Sequence, residues 1–317
     1  MSSPGAGIAR PLLPHAHAVC YKGARAVAMG RLRVLTLNCW NVSAPFEARM
    51  AVARDQLAAL APDVIALQEI VVRADGFDQG ALVLGDGGWA RVFGPAYCWD
   101  DAGSARFDAG ARTGFGNLIA TRWPIRRSAV CRLPGLEGEE PRAALATLIE
   151  TPDGLLPVVT THLDWEYDRG FVREQQVLAL ASVVKAWART ATLPPIVAGD
   201  LNAEPDSTEV RFLCGLAALA GERIHLEDAW RAAGDGGPGF TWDNRNPYAA
   251  YAGEPDRRID YVLVGRPARV EAAALALDTP RDGVLASDHF GVVADVWLPG
   301  GGAVTSGPRD GGARDDR

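Results

Sequence analysis

Leu193-Pro194-Pro195-Ile196-Val197-Ala198-Gly199-Asp200-Leu201-Asn202-Ala203-Glu204-Pro205-Asp206-Ser207 reads as a buried strand that stops at a carboxylate and a carboxamide. Ile196 to Ala198 is a short apolar run of strand type after a double proline, and Gly199 lets another backbone or a ligand approach closely where the strand ends. Asp200 and Asn202 are two apart, so a continuing extended conformation would point both to one face. Pro205 stops the strand. Asp206-Ser207-Thr208-Glu209 has the spacing of a capping box opening a helix through Val210, Phe212, Leu213 and Leu216. A carboxylate and an amide at the end of a core strand suit activation of water or contact with a phosphate oxygen. An Asx-turn that merely closes the strand fits the segment equally well.

Working outward, the same grammar recurs. Arg31 to Leu37 reads as a strand delivering Asn38. Phe46 to Ala61 carries Met50, Ala53, Leu57 and Leu60 at helical spacing and ends at Pro62. Asp63 to Gln68 is a strand that finishes on Glu69. Strand, helix and strand in that order put Asn38 and Glu69 at corresponding strand ends if the two strands are neighbours. Val71 to Gly110 reads as loop-rich, with Trp89, Phe93, Tyr97 and Trp99 as packing residues. Phe115 to Ile125 and Ala143 to Glu150 read as core strands. Leu156 to Thr161 is a strand ending on His162, a position where a lone histidine is more often structural than catalytic. Phe171 to Arg189 is helical. The loop Gly239 to Tyr248 reads as a pocket wall or, equally, as a surface loop with a buried Trp. Arg258 to Val264 is a strand bearing Asp260, whose burial demands a partner, and Ser287-Asp288-His289 at the start of the last strand supplies one.

The chain has 317 residues, 48% hydrophobic and 22% charged, enough for one large two-layer domain or two small ones. A net charge of −7 argues against a general basic platform for nucleic acid. Five scattered cysteines without a close pair suggest reduced thiols in a cytoplasmic protein, and no apolar run has the length of a membrane span. Residues 1–30 lack a continuous signal-peptide core and read as a disordered or extended leader, Met29 being an alternative natural start. Residues 299–317 read as a solvated tail, leaving 31–298 as the folded unit.

The motifs Thr36-Leu37-Asn38, Leu67-Gln68-Glu69, Thr161-His162-Leu163, Gly199-Asp200-Leu201-Asn202, Arg258-Ile259-Asp260-Tyr261 and Ser287-Asp288-His289 resemble, in order and spacing, those of the endonuclease/exonuclease/phosphatase superfamily. The resemblance implies an α/β fold: a four-layer αββα sandwich, two mixed β-sheets packed face to face with helices outside. It implies hydrolysis of phosphoesters with a divalent cation, usually Mg²⁺, with Mn²⁺ able to replace it. Carried over by motif, Glu69 is the principal metal ligand, assisted by Asn38 and Asp288. Asp200 orients or deprotonates water, and Asn202 holds that water or a phosphate oxygen. His289 donates to the phosphate while Asp260 orients its ring, and His162 matches a second histidine of the deoxyribonuclease and sphingomyelinase branches.

For the substrate, Trp165 and the loop carrying Trp242 and Asn244 could build an aromatic wall. With only Lys22 and Lys185 in the chain, phosphate contacts fall to arginines such as Arg112, Arg169, Arg245, Arg257 and Arg258. The expected partner is a phosphoester: nucleic acid, small molecule or lipid head group, without membrane insertion or an evident obligate protein partner. A phosphodiesterase leads. A phosphomonoesterase acting on an inositol-phosphate-like substrate is the alternative, and a non-catalytic binding module on the same fold trails because Glu69, Asp200 and His289 are all present. A zinc hydrolase is disfavoured because no two histidines or cysteines stand at short ligand spacing.

Overall fold

The computed structural model describes residues 29–99, 105–106 and 113–299. In chain order the elements are β1 (Met29–Asn38), α1 (Phe46–Leu60), β2 (Val64–Arg73), α2 (Gln79–Leu84), β3 (Ala90–Trp99), β4 (Ala105–Arg106), β5 (Thr113–Thr121), β6 (Ile125–Arg132), β7 (Ala143–Thr151) and β8 (Gly154–His162). There follow α3 (Gly170–Ala188), β9 (Ile196–Asp200), α4 (Thr208–Leu213), β10 (Leu226–Asp228), α5 (Ala229–Ala233), α6 (Pro247–Ala250), β11 (Asp260–Gly265), β12 (Arg269–Ala276) and β13 (Gly291–Pro299). The proposed leader and tail lie outside the described residues, except that β1 takes in Met29 and Gly30 and β13 ends on Pro299.

Two mixed sheets result, ordered β12-β13-β1-β2-β5-β3-β4 and β10-β11-β9-β8-β7-β6. Alternation along the strands decides which side chains enter which layer. Val34, Val64, Val158 and Ile196 meet between the sheets in one apolar cluster. Their neighbours turn outward: Leu35 and Ile65 pack under α1, whereas Val159 and Val197 pack under α3 and α4. This is the expected four-layer αββα sandwich. No described helix is long and apolar enough to cross a membrane.

The two parallel pairs, β1 with β2 and β8 with β9, bring their carboxyl ends to one edge. His162 stands opposite Asp200, and antiparallel β11 places Asp260 opposite Asp200 on the other side. Gly199 does what its position suggests, because a Cβ there would lie 2.2 Å from the Thr161 carbonyl oxygen. The strand needs a residue without one.

Several elements depart from the sequence reading. The stretch expected to be loop-rich holds α2, whose N-cap Asp78 accepts from Ala81 N, and β3, whose Gly94-Pro95 and bulge obscure its alternation. The edge strands β6 and β12 bury little and carry no strong apolar run. α4 is shorter than expected and is capped by Ser207, not Asp206, while Glu209 pairs with Arg173 on α3 at 3.0 Å. β2 does not finish on Glu69. It bulges there, with Glu69 at φ +56°, and runs on to Arg73.

Candidate active site

The shared edge opens into a cleft of about 790 Å³. At its centre lies Asp200, 1% exposed. Its Oδ1 accepts from Asn202 N at 2.8 Å, which is an Asx-turn, and its Oδ2 accepts from Asn38 Nδ2 at 3.0 Å. The two readings of that turn are therefore compatible: it closes the strand and also presents the carboxylate. Asn202 leaves the extended conformation at φ +47°, so its place beside Asp200 comes from the turn and not from strand alternation. Its Nδ2 donates to Leu163 O at 3.1 Å.

Asn38 bridges two carboxylates, since its Nδ2 also donates to Glu69 Oε1 at 3.2 Å. Its Oδ1 accepts from Trp40 N at 3.0 Å. Asn41 Nδ2 holds the other Glu69 oxygen at 2.9 Å. Arg49, wholly buried on α1, donates to the carbonyls of Cys39, Trp40, Asn41 and Ser43 and to that of Ala286. It thereby ties the loop after Asn38 to the loop that carries Asp288 and His289.

Two histidines flank Asp200. His289 Nδ1 donates to Asp260 Oδ2 at 2.8 Å, and its Nε2 lies 3.9 Å from Asp200 Oδ2. Burial opposes charge on this ring, but Asp260, Asp200 and Asp288 outweigh it and push the pKa up to about 10. His162 Nε2 lies 3.5 Å from Asp200 Oδ2. Burial, Arg142 and His289 hold that ring well below the usual range, and its Nδ1 has no partner among the described residues. One imidazole is thus charged and the other neutral. Burial, with Asp260 next, raises Asp200 to about 6.

Glu69 and Asp288 both line the cleft and offer the hard oxygen donors that suit Mg²⁺. Burial drives Asp288 up to about 7, and repulsion from Glu69 adds to this against relief from His289. That uncompensated negative charge is what a divalent cation would offset, so these residues fit one. A second group, Asp200, Asp260 and His289, has ligand atoms within 4.8 Å of one another. Its His289 Nδ1, however, already faces Asp260 Oδ2 at 2.8 Å.

Of the expected substrate residues, Trp165 and Trp242 line the cleft, Trp165 half exposed and Trp242 edge-on to the His289 ring at 5.1 Å. Asn244 and Arg258 do not. Asn244 bonds Asp256 and the Glu254 carbonyl on an exposed turn, and Arg258 is buried in a two-bond pair with Asp228 at 2.8 and 3.1 Å. Arg169 pairs with Glu139 and Arg245 with Asp243, while Arg112 lies outside the described residues. Arg257 does reach the cleft, as does Arg142, which the sequence reading missed. Its signal was present: Arg142 immediately precedes a strand, the kind of position from which the other site residues come.

An αββα sandwich with acid, amide and imidazole groups gathered at one sheet edge defines the class of protein. The family model for the endonuclease/exonuclease/phosphatase family matches residues 35–289, and the chain belongs to that family, whose members are generally hydrolytic phosphoesterases. Among solved structures it is similar to an endonuclease/exonuclease/phosphatase from Beutenbergia cavernae, at 28% identity over 86% of this chain and 72% of that one, TM-score 0.65. The human Nocturnin catalytic domain with bound sulfate is 23% identical over 86% and 96% of the two chains, TM-score 0.63. D. rerio TDP2 complexed with single strand DNA product is 20% identical over 84% and 98%, TM-score 0.60, a likeness of fold. No curated protein matches.

Proposed function

We propose that the chain is a divalent-metal-dependent phosphodiesterase in which water attacks phosphorus in line with the leaving alcohol. The observation that carries this reading is the surround of Asp200: a buried carboxylate fixed by Asn38 and Asn202, between a neutral and a charged imidazole. Asp200 orients the attacking water and takes its proton as the P–O bond forms. Asn202 holds that water or a phosphate oxygen. His289, kept charged and oriented by Asp260, donates to the phosphate and stabilises the negative charge that develops on it. His162, whose Nε2 lies 3.5 Å from Asp200 Oδ2, contacts the phosphate or assists the leaving oxygen. Glu69 and Asp288 hold Mg²⁺, or Mn²⁺ on the same donors, with Asn38 fixing the Glu69 carboxylate. When bound, the ion supplies Lewis-acid stabilisation of phosphoryl charge.

The fold likeness to a TDP2 that carries a single-strand DNA product favours a phosphodiester substrate, and Trp165 and Trp242 provide flat faces for its organic part. The test is cleavage of bis-p-nitrophenyl phosphate, single- and double-stranded DNA, RNA and a phosphomonoester by the protein and its Asp200→Asn variant, each with Mg²⁺ or EDTA. Diester cleavage that needs Mg²⁺ and vanishes in the variant supports the reading. Equal rates in EDTA, or in the variant, overturn it.

A further inference from the structure

The groups gathered at the cleft come from two different sheets. Asn38 on β1, Glu69 on β2 and Asp288, in the loop that enters β13, belong to the sheet built from those strands. His162 on β8, Asp200 on β9 and Asp260 on β11 belong to the other. The fit of one half against the other therefore depends on how the sheets are fixed face to face. Most of the layer between them is apolar, with Val34, Val64, Ala66, Val158, Ile196 and Ala198 packed in one cluster. Apolar contact is non-directional, and it defines an offset less sharply than a hydrogen bond, which weakens steeply with distance and angle.

One row of that layer is polar. Going toward the cleft, alternation carries β1 inward at Val34, Thr36 and Asn38, and β2 at Val64, Ala66 and Gln68. On the facing sheet the same positions are Val158, Thr160 and His162 on β8. Thr36, Gln68 and Thr160 are fully buried. Gln68 Nε2 donates to Thr160 Oγ1 at 2.9 Å, across the two sheets, and Gln68 Oε1 accepts from Thr36 Oγ1 at 3.3 Å. Gln68 stands level with Asn38 and adjoins Glu69, while Thr160 lies two residues before His162. Burying a carboxamide among apolar side chains has a cost that these bonds only offset, so a stable core does not require the trio. Nearer the cleft, Asn38 Nδ2 also crosses between the sheets, to Asp200 Oδ2 at 3.0 Å, but that oxygen is the one that faces both histidines. Alignment that persists while Asp200 acts on water has to come from behind it.

We propose that Gln68 is a positioning residue whose bond to Thr160 fixes the half of the site that holds Asn38, Glu69 and Asp288 against the half that holds Asp200 and His162. It thereby sets the path along which water reaches phosphorus, where a misplacement of about 1 Å can slow a reaction about a hundredfold. The proposal rests on the phosphodiesterase reading above and adds to it two residues that do not line the cleft.

Two single substitutions separate positioning from packing. Thr160→Val removes the hydroxyl and keeps the shape, whereas Thr160→Ser removes the methyl group and keeps the hydroxyl. With saturating Mg²⁺, kcat for bis-p-nitrophenyl phosphate should fall about fivefold or more in Thr160→Val and stay within about twofold in Thr160→Ser, with KM nearly unchanged in both. Equal kcat in the two variants, or the larger loss in Thr160→Ser, overturns the inference. The triple variant Thr36→Val, Gln68→Met, Thr160→Val makes the whole row apolar and leaves no member of the trio unpaired. Its urea midpoint should be no lower than that of the wild type, while kcat falls about tenfold or more and the calorimetric Kd for Mg²⁺ stays within about threefold. Wild-type kcat in the folded triple variant overturns the inference, and if that variant does not fold the threonine pair decides alone. Inorganic phosphate in the presence of Mg²⁺ touches both halves, so its Kd should rise about fivefold in Thr160→Val. A wild-type protein that hydrolyses no phosphoester sinks the phosphodiesterase reading. Weaker phosphate binding by Thr160→Val than by that protein then keeps the positioning role, and equal binding sinks it too.

Discussion

Asp260 Oδ2 and His289 Nδ1 lie 2.8 Å apart, joining the first residue of β11 to the loop that enters β13. The bond leaves Nε2 free to face Asp200 and keeps the ring protonated through neutral pH. Asp260→Asn keeps an acceptor at the same place but removes the charge, so turnover should fall ~100-fold with the fold intact. Steady-state kinetics with circular dichroism checks this. Wild-type turnover in a folded Asp260→Asn protein would remove Asp260 from the mechanism.

Arg258 provides the opposite test. Its neighbour Asp228 caps α5 and takes both hydrogen bonds of the guanidinium, and the guanidinium also lies over the Tyr261 ring. Arg258→Ala strands a buried carboxylate and should cost about 3 kcal/mol in urea denaturation. The KM of the folded fraction should stay within about twofold. A KM rise without a loss of stability would mean that Arg258 reaches substrate.

The residues that end short apolar strands were legible because the signal is local: an apolar run stops and a polar side chain follows. Asn38, His162 and Asp200 fall where that rule puts them. Glu69 was found by the same rule but misplaced within its strand, because Ile70, Val71 and Val72 continue the apolar run beyond a bulge that only pairing with β5 reveals. Arg49 was invisible. A charged residue on an amphipathic helix ordinarily faces water, and only the folding together of two loops 240 or so residues apart supplies the five carbonyls that bury it. The partition of Arg257 and Arg258 was equally out of reach. They are adjacent, so alternation sends one to the cleft and the other to Asp228, and nothing in the sequence says which.

Far from the cleft, Asp295 on β13 accepts from Arg31 and Arg33 on β1 at 2.7 to 3.0 Å. Burial alone would raise its pKa, but the two arginines hold it below the ordinary carboxylate value. A carboxylate depressed in the folded state stabilises fully above its unfolded pKa of about 3.9, and that stabilisation is lost as pH falls through the lower folded value. Asp295→Asn should therefore cost about 2 kcal/mol at neutral pH. The difference from wild type should close below pH ~3, with diester turnover unchanged at neutral pH. Urea titrations at several pH values measure it, and a gap that persists undiminished in acid would assign the loss to packing instead of charge.

Glu69 tests where the divalent ion sits without reference to turnover. Its two oxygens are held by Asn38 and Asn41, and it shares the cleft with Asp288, whereas the rival group of Asp200, Asp260 and His289 is closed by its own ion pair. An ion that binds only the folded chain stabilises it by about 2.7 kcal/mol at ~100 times its Kd. Mg²⁺ should therefore raise the wild-type Tm by about 5 °C or more. Glu69→Gln keeps the side chain's shape and an acceptor for Asn38 but removes the charge, so most of the rise should disappear. Asp260→Asn leaves the Glu69 and Asp288 donors in place and should preserve it. The reverse pattern, a rise kept in Glu69→Gln and lost in Asp260→Asn, would move the ion to the Asp200, Asp260 and His289 group and make His289 a ligand instead of a proton-bearing donor.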